Sequence, residues 1–95
     1  MIVSMIQLII EIPEAGTLKD KRSIVKSVTR KLQNRFRLSA AEVDLQDSRS
    51  FAQLGAVIVS NSRVFGESVL NKAPEMIENE MALAIQDVSI HTEDF

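Results

Sequence analysis

The chain opens on an apolar run, Ile2 to Ile10, rich in β-branched residues and interrupted only by Ser4 and Gln7. Such a run predicts a buried strand over residues 2–12, closed by the turn Pro13-Glu14-Ala15-Gly16, where proline and glycine supply the backbone geometry. The period then changes. Leu18, Ile24, Val25, Val28, Leu32 and Phe36 share one broad helical face, and Lys19, Arg22, Lys26, Arg30, Gln33 and Arg37 occupy the opposite one. Thr17, three residues before Asp20, is a helix-capping signal. Residues 39–47 alternate, with Ala41, Val43 and Leu45 on one side and Glu42, Asp44 and Gln46 on the other. That pattern predicts a strand whose acidic side is wet.

Asp47-Ser48-Arg49-Ser50 reads as a turn, and Phe51 to Val59 as a second apolar strand. Ser60-Asn61-Ser62 offers caps for a second helix, along which Phe65, Val69, Ala73, Met76, Ile77 and Met81 keep helical spacing. Pro74 removes a hydrogen bond to Leu70, which predicts a kink or, as the lesser option, a break at Ala73. Residues 84–91 give a last strand, followed by a frayed or edge tail at Glu93-Asp94-Phe95. The order β-α-β-β-α-β predicts a single α+β domain over residues 1–95 of the ferredoxin-like kind. In that fold two helices cover one face of a four-stranded antiparallel sheet ordered 4-1-3-2 and leave the other open.

The open face is informative, because either register of the first strand leaves apolar side chains there: Val3, Met5 and Ile9, or Ile2, Ile6, Leu8 and Ile10. The third strand behaves alike, with Phe51, Val57 and Val59 opposite Leu54, Ala56 and Ile58. A second copy, another partner or a covering tail is expected on that face, with a homodimer the leading expectation.

Charge changes the picture next. Of 11 Lys and Arg residues, 8 fall between Lys19 and Arg37. Residues 1–37 carry 8 basic and 3 acidic side chains, net +5, and residues 38–95 carry 3 and 10, net −7, in a chain of net charge −2. A basic segment on an acidic domain steers polyanions to one surface. There is no cysteine, hence no disulfide framework and no thiolate metal site. The opening run lacks a cationic leader and is too short to span a bilayer, so no membrane association is expected and the cytoplasm is the default location.

Thr17-Leu18-Lys19-Asp20-Lys21-Arg22 after a strand and turn, Ala41-Glu42-Val43 leading to Gln46-Asp47, and Val59-Ser60-Asn61 before the second helix together resemble the YlxP-like family of small bacterial proteins of unknown function. The resemblance spans nearly the whole chain and is most specific in the Leu-Lys-x-Lys-Arg signature. It implies a ferredoxin-like fold and a bacterial cytosol. Because genes of that family commonly neighbour those for translation initiation and ribosome maturation, it also implies contact with RNA or the ribosome. It brings no established activity.

The residues themselves point to one site. Lys19, Lys21 and Arg22 lie in the first turns of a helix, where the macrodipole disfavours cations by about 0.3–1 kcal/mol each. An anion at the helix start explains them, with Lys26 and Arg30 extending the contact along a phosphate backbone. The competing reading pairs them with Glu11, Glu14, Asp20 or acids of the other segment, Lys21 snorkelling over the core. Base stacking on the sheet is not expected, since the chain has no Trp, no Tyr and only Phe51 near that face.

Catalysis has little support. His91 is the only histidine, and beside Thr92, Glu93 and Asp94 it reads as an exposed strand residue before a metal ligand. Asp44 and Asp47 read as solvated or turn-capping groups, Gln46 and Asp47 as loop fasteners, and Ser60 to Ser62 as caps. No cofactor and no metal are expected. The leading expectation is a non-enzymatic accessory protein that binds structured RNA or a ribosomal surface through Lys19, Lys21, Arg22, Lys26 and Arg30. The alternative is a dimeric regulatory or scaffold module that holds a small anion or a protein partner at the helix start.

Overall fold

The computed structural model describes residues 1–13 and 16–95, so Glu14 and Ala15 of the expected turn lie outside it. Its elements are β1 (Ile2–Glu11), α1 (Leu18–Phe36), β2 (Ser39–Asp44), β3 (Phe51–Ser60), α2 (Arg63–Glu80) and β4 (Ile85–Asp94). All pairings are antiparallel and the sheet order is β2-β3-β1-β4, the ferredoxin-like arrangement. β1 and β3, the two apolar runs, take the centre. There both faces are best shielded and long apolar stretches are tolerated.

Strand alternation divides β1 between two environments. Ile6, Leu8 and Ile10 enter the core with Leu54, Ala52 and Ala56 of β3. Val25, Val28 and Leu32 of α1 and Leu70, Ala73, Met76 and Ile77 of α2 close over them. Val3, Met5, Gln7 and Ile9 face the open side, beside Val59, Val57, Gly55 and Gln53. Gln53 Nε2 donates to Gln7 Oε1 at 2.9 Å in the middle of that face.

Both helix starts are capped as the sequence predicts. Thr17 Oγ1 accepts from Asp20 N at 3.2 Å, and Ser62 Oγ accepts from Phe65 N at 3.2 Å. α2 runs unbroken through Pro74, so the helix absorbs the missing donor and the break at Ala73 does not occur. Gly66 brings α2 close to the sheet: a Cβ there would meet Ser4 Oγ at 2.4 Å. Ser4 is fully buried on β1 and its hydroxyl lies 3.3 Å from Thr92 Oγ1, which donates to Glu67 Oε2 at 3.0 Å.

Two expectations need correction. β2 turns its sides the other way: Ala40 and Glu42 lie level with Ala56 and Leu54, on the helix side, whereas Ala41 pairs with Gly55 on the open face. Val43 is also on the open side, where Gly55 leaves room for it and a Cβ at Gly55 would meet Val43 Cγ1 at 3.0 Å. β4 is longer than residues 84–91, because Glu93 and Asp94 pair with Val3 and Ile2. The tail is therefore strand, and β4 is an edge of the sheet.

Candidate nucleic-acid interface

α1 carries seven basic residues and one acid, net +6. Its length and capping come from ordinary helix chemistry, but its charges separate into three groups with different surroundings.

Lys21 forms the first group alone, and it corrects the expected site. At about 100° per residue it projects within about 20° of Val28 and Leu32, in the middle of the apolar arc, and it is 1% exposed. Its ammonium does not snorkel to water. Nζ donates to the Leu45 carbonyl at 2.6 Å and stands 3.1 Å from Glu42 Oε2, an ion-pair contact rather than an aligned hydrogen bond. This explains the inverted side of β2: Glu42 faces inward because a buried cation waits there. It also explains the turn after β2, where Leu45 adopts a left-handed backbone, φ 62°, and offers its carbonyl to Lys21 as well as to Ser48 N. Lys21 is thus a tie between α1 and the β2–β3 connection, closed to any external anion.

Lys31 and Arg35 form the second group. Both meet Glu80 at the end of α2, Lys31 at 3.9 Å and Arg35 through a direct hydrogen bond. The bond from Arg35 holds the Glu80 carboxyl below the usual carboxylate range. These cations join the two helices.

Lys19, Arg22, Lys26 and Arg30 form the third group. Spacings of three and four residues line them along one ridge, about 16 Å from first to last at 1.5 Å per residue. All four are exposed, and among the described residues none of the four enters an ion pair. Ser23 and Ser27, also exposed, flank the ridge. Of the acids offered as neutralising partners, Glu11 bonds to Gln86 and Glu14 lies outside the described residues. The ridge begins at the free N–H groups of the capped helix start, so a row of cations continues a region of positive dipole potential.

The remaining sequence candidates have local duties. Asp44 Oδ1 accepts from Leu45 N at 2.7 Å, and Ser48 Oγ accepts from Ser50 N and Phe51 N. The described hydrogen bonds of this loop therefore run through Asp44, Leu45 and Ser48, where Gln46 and Asp47 were expected. His91 is exposed on β4 and pairs with Glu93 Oε1 at 2.9 Å. The described residues contain no group of three or more His, Asp or Glu placed to share a metal, and no described helix is long and apolar enough to cross a membrane.

Comparison with known proteins agrees on fold and family. A solution NMR structure of a de novo designed protein with ferredoxin fold superposes with a TM-score of 0.55 at 14% identity, over 100% of this chain and 88% of that one. The uncharacterized protein YlxP of Bacillus subtilis (strain 168) is 35% identical over 66 residues, which is 70% of this chain and 72% of the relative. Residues 3–90 match the family described as "Protein of unknown function (DUF503)", and the chain belongs to that family.

Proposed function

We propose that this protein is a non-enzymatic accessory factor that binds structured RNA, or a ribosomal surface built from it, through the ridge Lys19, Arg22, Lys26 and Arg30. The observation that carries the reading is the ridge itself. Four cations stand in line without intramolecular partners among the described residues, on a chain whose net charge is −2. Neutralising acids were available to the sequence, and at Lys21, Lys31 and Arg35 they are used.

A helical ridge without aromatic neighbours recognises phosphate positions and duplex shape rather than base identity. Binding should therefore be strongly salt-dependent and only weakly sequence-dependent. The alternative, a small anion at the start of α1, loses one of its three expected side chains with the burial of Lys21.

The test is titration of a structured ribosomal RNA fragment with the intact protein and with a Lys26→Glu, Arg30→Glu double variant, against a duplex of scrambled sequence. Binding to both RNAs that the double variant loses supports phosphate contacts along the ridge. Undiminished binding by the double variant, or none by the intact protein at low salt, overturns it.

A further inference from the structure

The open face of the sheet has the anatomy of an interface. Val3, Met5, Ile9, Val57 and Val59 form its middle, joined by Val43 and Phe51, and among these Val59 is 61% and Val43 49% exposed. Polar groups collect at the rim: Asp87, Ser89, His91 and Glu93 along β4, Ser39 at the start of β2 and Arg37 at the end of α1. An apolar centre with a polar margin is the usual arrangement of a protein–protein contact.

We propose that the occupant of this face is a second copy of the chain, related by a two-fold axis parallel to the strands. This proposal is independent of the RNA reading. Two observations favour a copy. The first is size. Four strands about 4.8 Å apart and about 30 Å long present roughly 570 Å² each, or about 1,100 Å² buried in total, which clears the range of accidental contacts.

The second is the distribution of charge across the sheet. One row runs Val59, Val3, Glu93 from β3 to β4. Arg37, the left-handed residue that ends α1, lines one hollow with Ser39, Val57 and Val59, which sets it at the β2 end of that row. Each copy thus holds a cation on one rim and an anion on the opposite rim at the same height. Rotation about an axis along the strands sets β2 over β4 of the second copy. Arg37 then meets Glu93 of the second copy, and the symmetric contact repeats it. The same rotation lays β3 over β1 of the second copy. Its like-charge contact is Asp44 with Asp87.

An axis across the strands is poorer. It stacks β4 on β4 and sets Asp87 against Glu93, leaving Arg37 with Asp44 alone. Two twisted sheets packed with their strands aligned cross at about 30°, a geometry both axes satisfy, so the rim charges decide between them. Both α1 ridges then lie on opposite outer surfaces, so one dimer presents two independent cationic helices.

Sedimentation equilibrium of the intact chain tests the proposal, with circular dichroism to verify folding. The intact chain is expected to be dimeric at micromolar concentration. Arg37→Glu and Glu93→Arg should each weaken the dimer about tenfold, since each removes two contacts, and the double swap should restore it. A chain that stays monomeric to 100-fold higher concentration, about 100 µM on the affinity scale of transient contacts, overturns the proposal and leaves the face to a different protein. A dimer indifferent to both single reversals overturns the strand-parallel axis. A folded dimer that survives Val57→Glu places the contact elsewhere and also overturns it.

Discussion

The two helices pack on the same face of the same sheet, yet they are built on opposite plans. α2 approaches closely, because Gly66 lets its backbone settle onto Ser4, and it carries two basic and four acidic residues. α1 reaches the sheet through a long side chain: Lys21 passes through the apolar layer and ends on Leu45 and Glu42. Covering a sheet therefore requires no cationic surface, as α2 demonstrates. The ridge on α1 is additional to packing, and cations in its first turns cost stability against the helix dipole. A feature that opposes folding and has no described internal partner is best explained by an external one.

The comparison can be broken most severely at the closest contact. Gly66→Val places two branches where even a Cβ lies 2.4 Å from Ser4 Oγ and 3.1 Å from Ser4 Cβ. It should lower the free energy of unfolding by about 3 kcal/mol or more in urea denaturation, combining overpacking with lost helix geometry.

Next in size is Lys21→Met, which keeps the apolar stem but strands a carboxylate and a carbonyl; the loss should be about 3 kcal/mol. Lys19→Met, two residues earlier, should change stability by no more than about 0.5 kcal/mol, with stabilisation the expected sign because it removes a cation from the positive end of α1. Equal losses at the two positions would erase the distinction between tie and ridge. The Lys26→Glu, Arg30→Glu variant should likewise keep its unfolding free energy within about 0.5 kcal/mol per substitution, so that any loss of RNA affinity reports contact and not folding.

The smallest effect concerns the helix–helix ion pair. With its folded pKa depressed by Arg35, Glu80 adds stability that is present above the usual carboxylate range and lost as pH falls through the lowered value. Glu80→Gln should flatten the acid limb of the stability curve below about pH 4, measured by thermal unfolding across pH, with a slight loss of stability at neutral pH and none at the acid end. A steeper acid limb in the variant would contradict the assignment.

Most of the fold was legible because it rests on local periodicity. The switch from period two to 3.6 after Gly16, the caps at Thr17 and Ser62, and the long apolar runs of β1 and β3 each identify an element without knowledge of the others. What failed depended on contacts between distant residues. Glu42 looked like a wet side of β2 because acids usually face water; only the arrival of Lys21 from α1 reverses that. The signal was present in the helical angle of Lys21, which falls between Val28 and Leu32, and weighting that angle above its charge would have removed it from the candidate site. The length of β4 was hidden because an edge strand tolerates polar residues on both sides, leaving His91 to Asp94 without a hydrophobic rhythm. Gly66 gave no signal at all, since its reason is Ser4, 62 positions away in the chain.

The most direct test is the slope of log binding constant against log salt concentration for the intact protein on a structured RNA fragment. Four phosphate contacts predict a slope of about −3, falling by about half in the Lys26→Glu, Arg30→Glu variant. A slope near zero, or one that the variant leaves unchanged, would show that the α1 ridge does not hold a phosphate backbone.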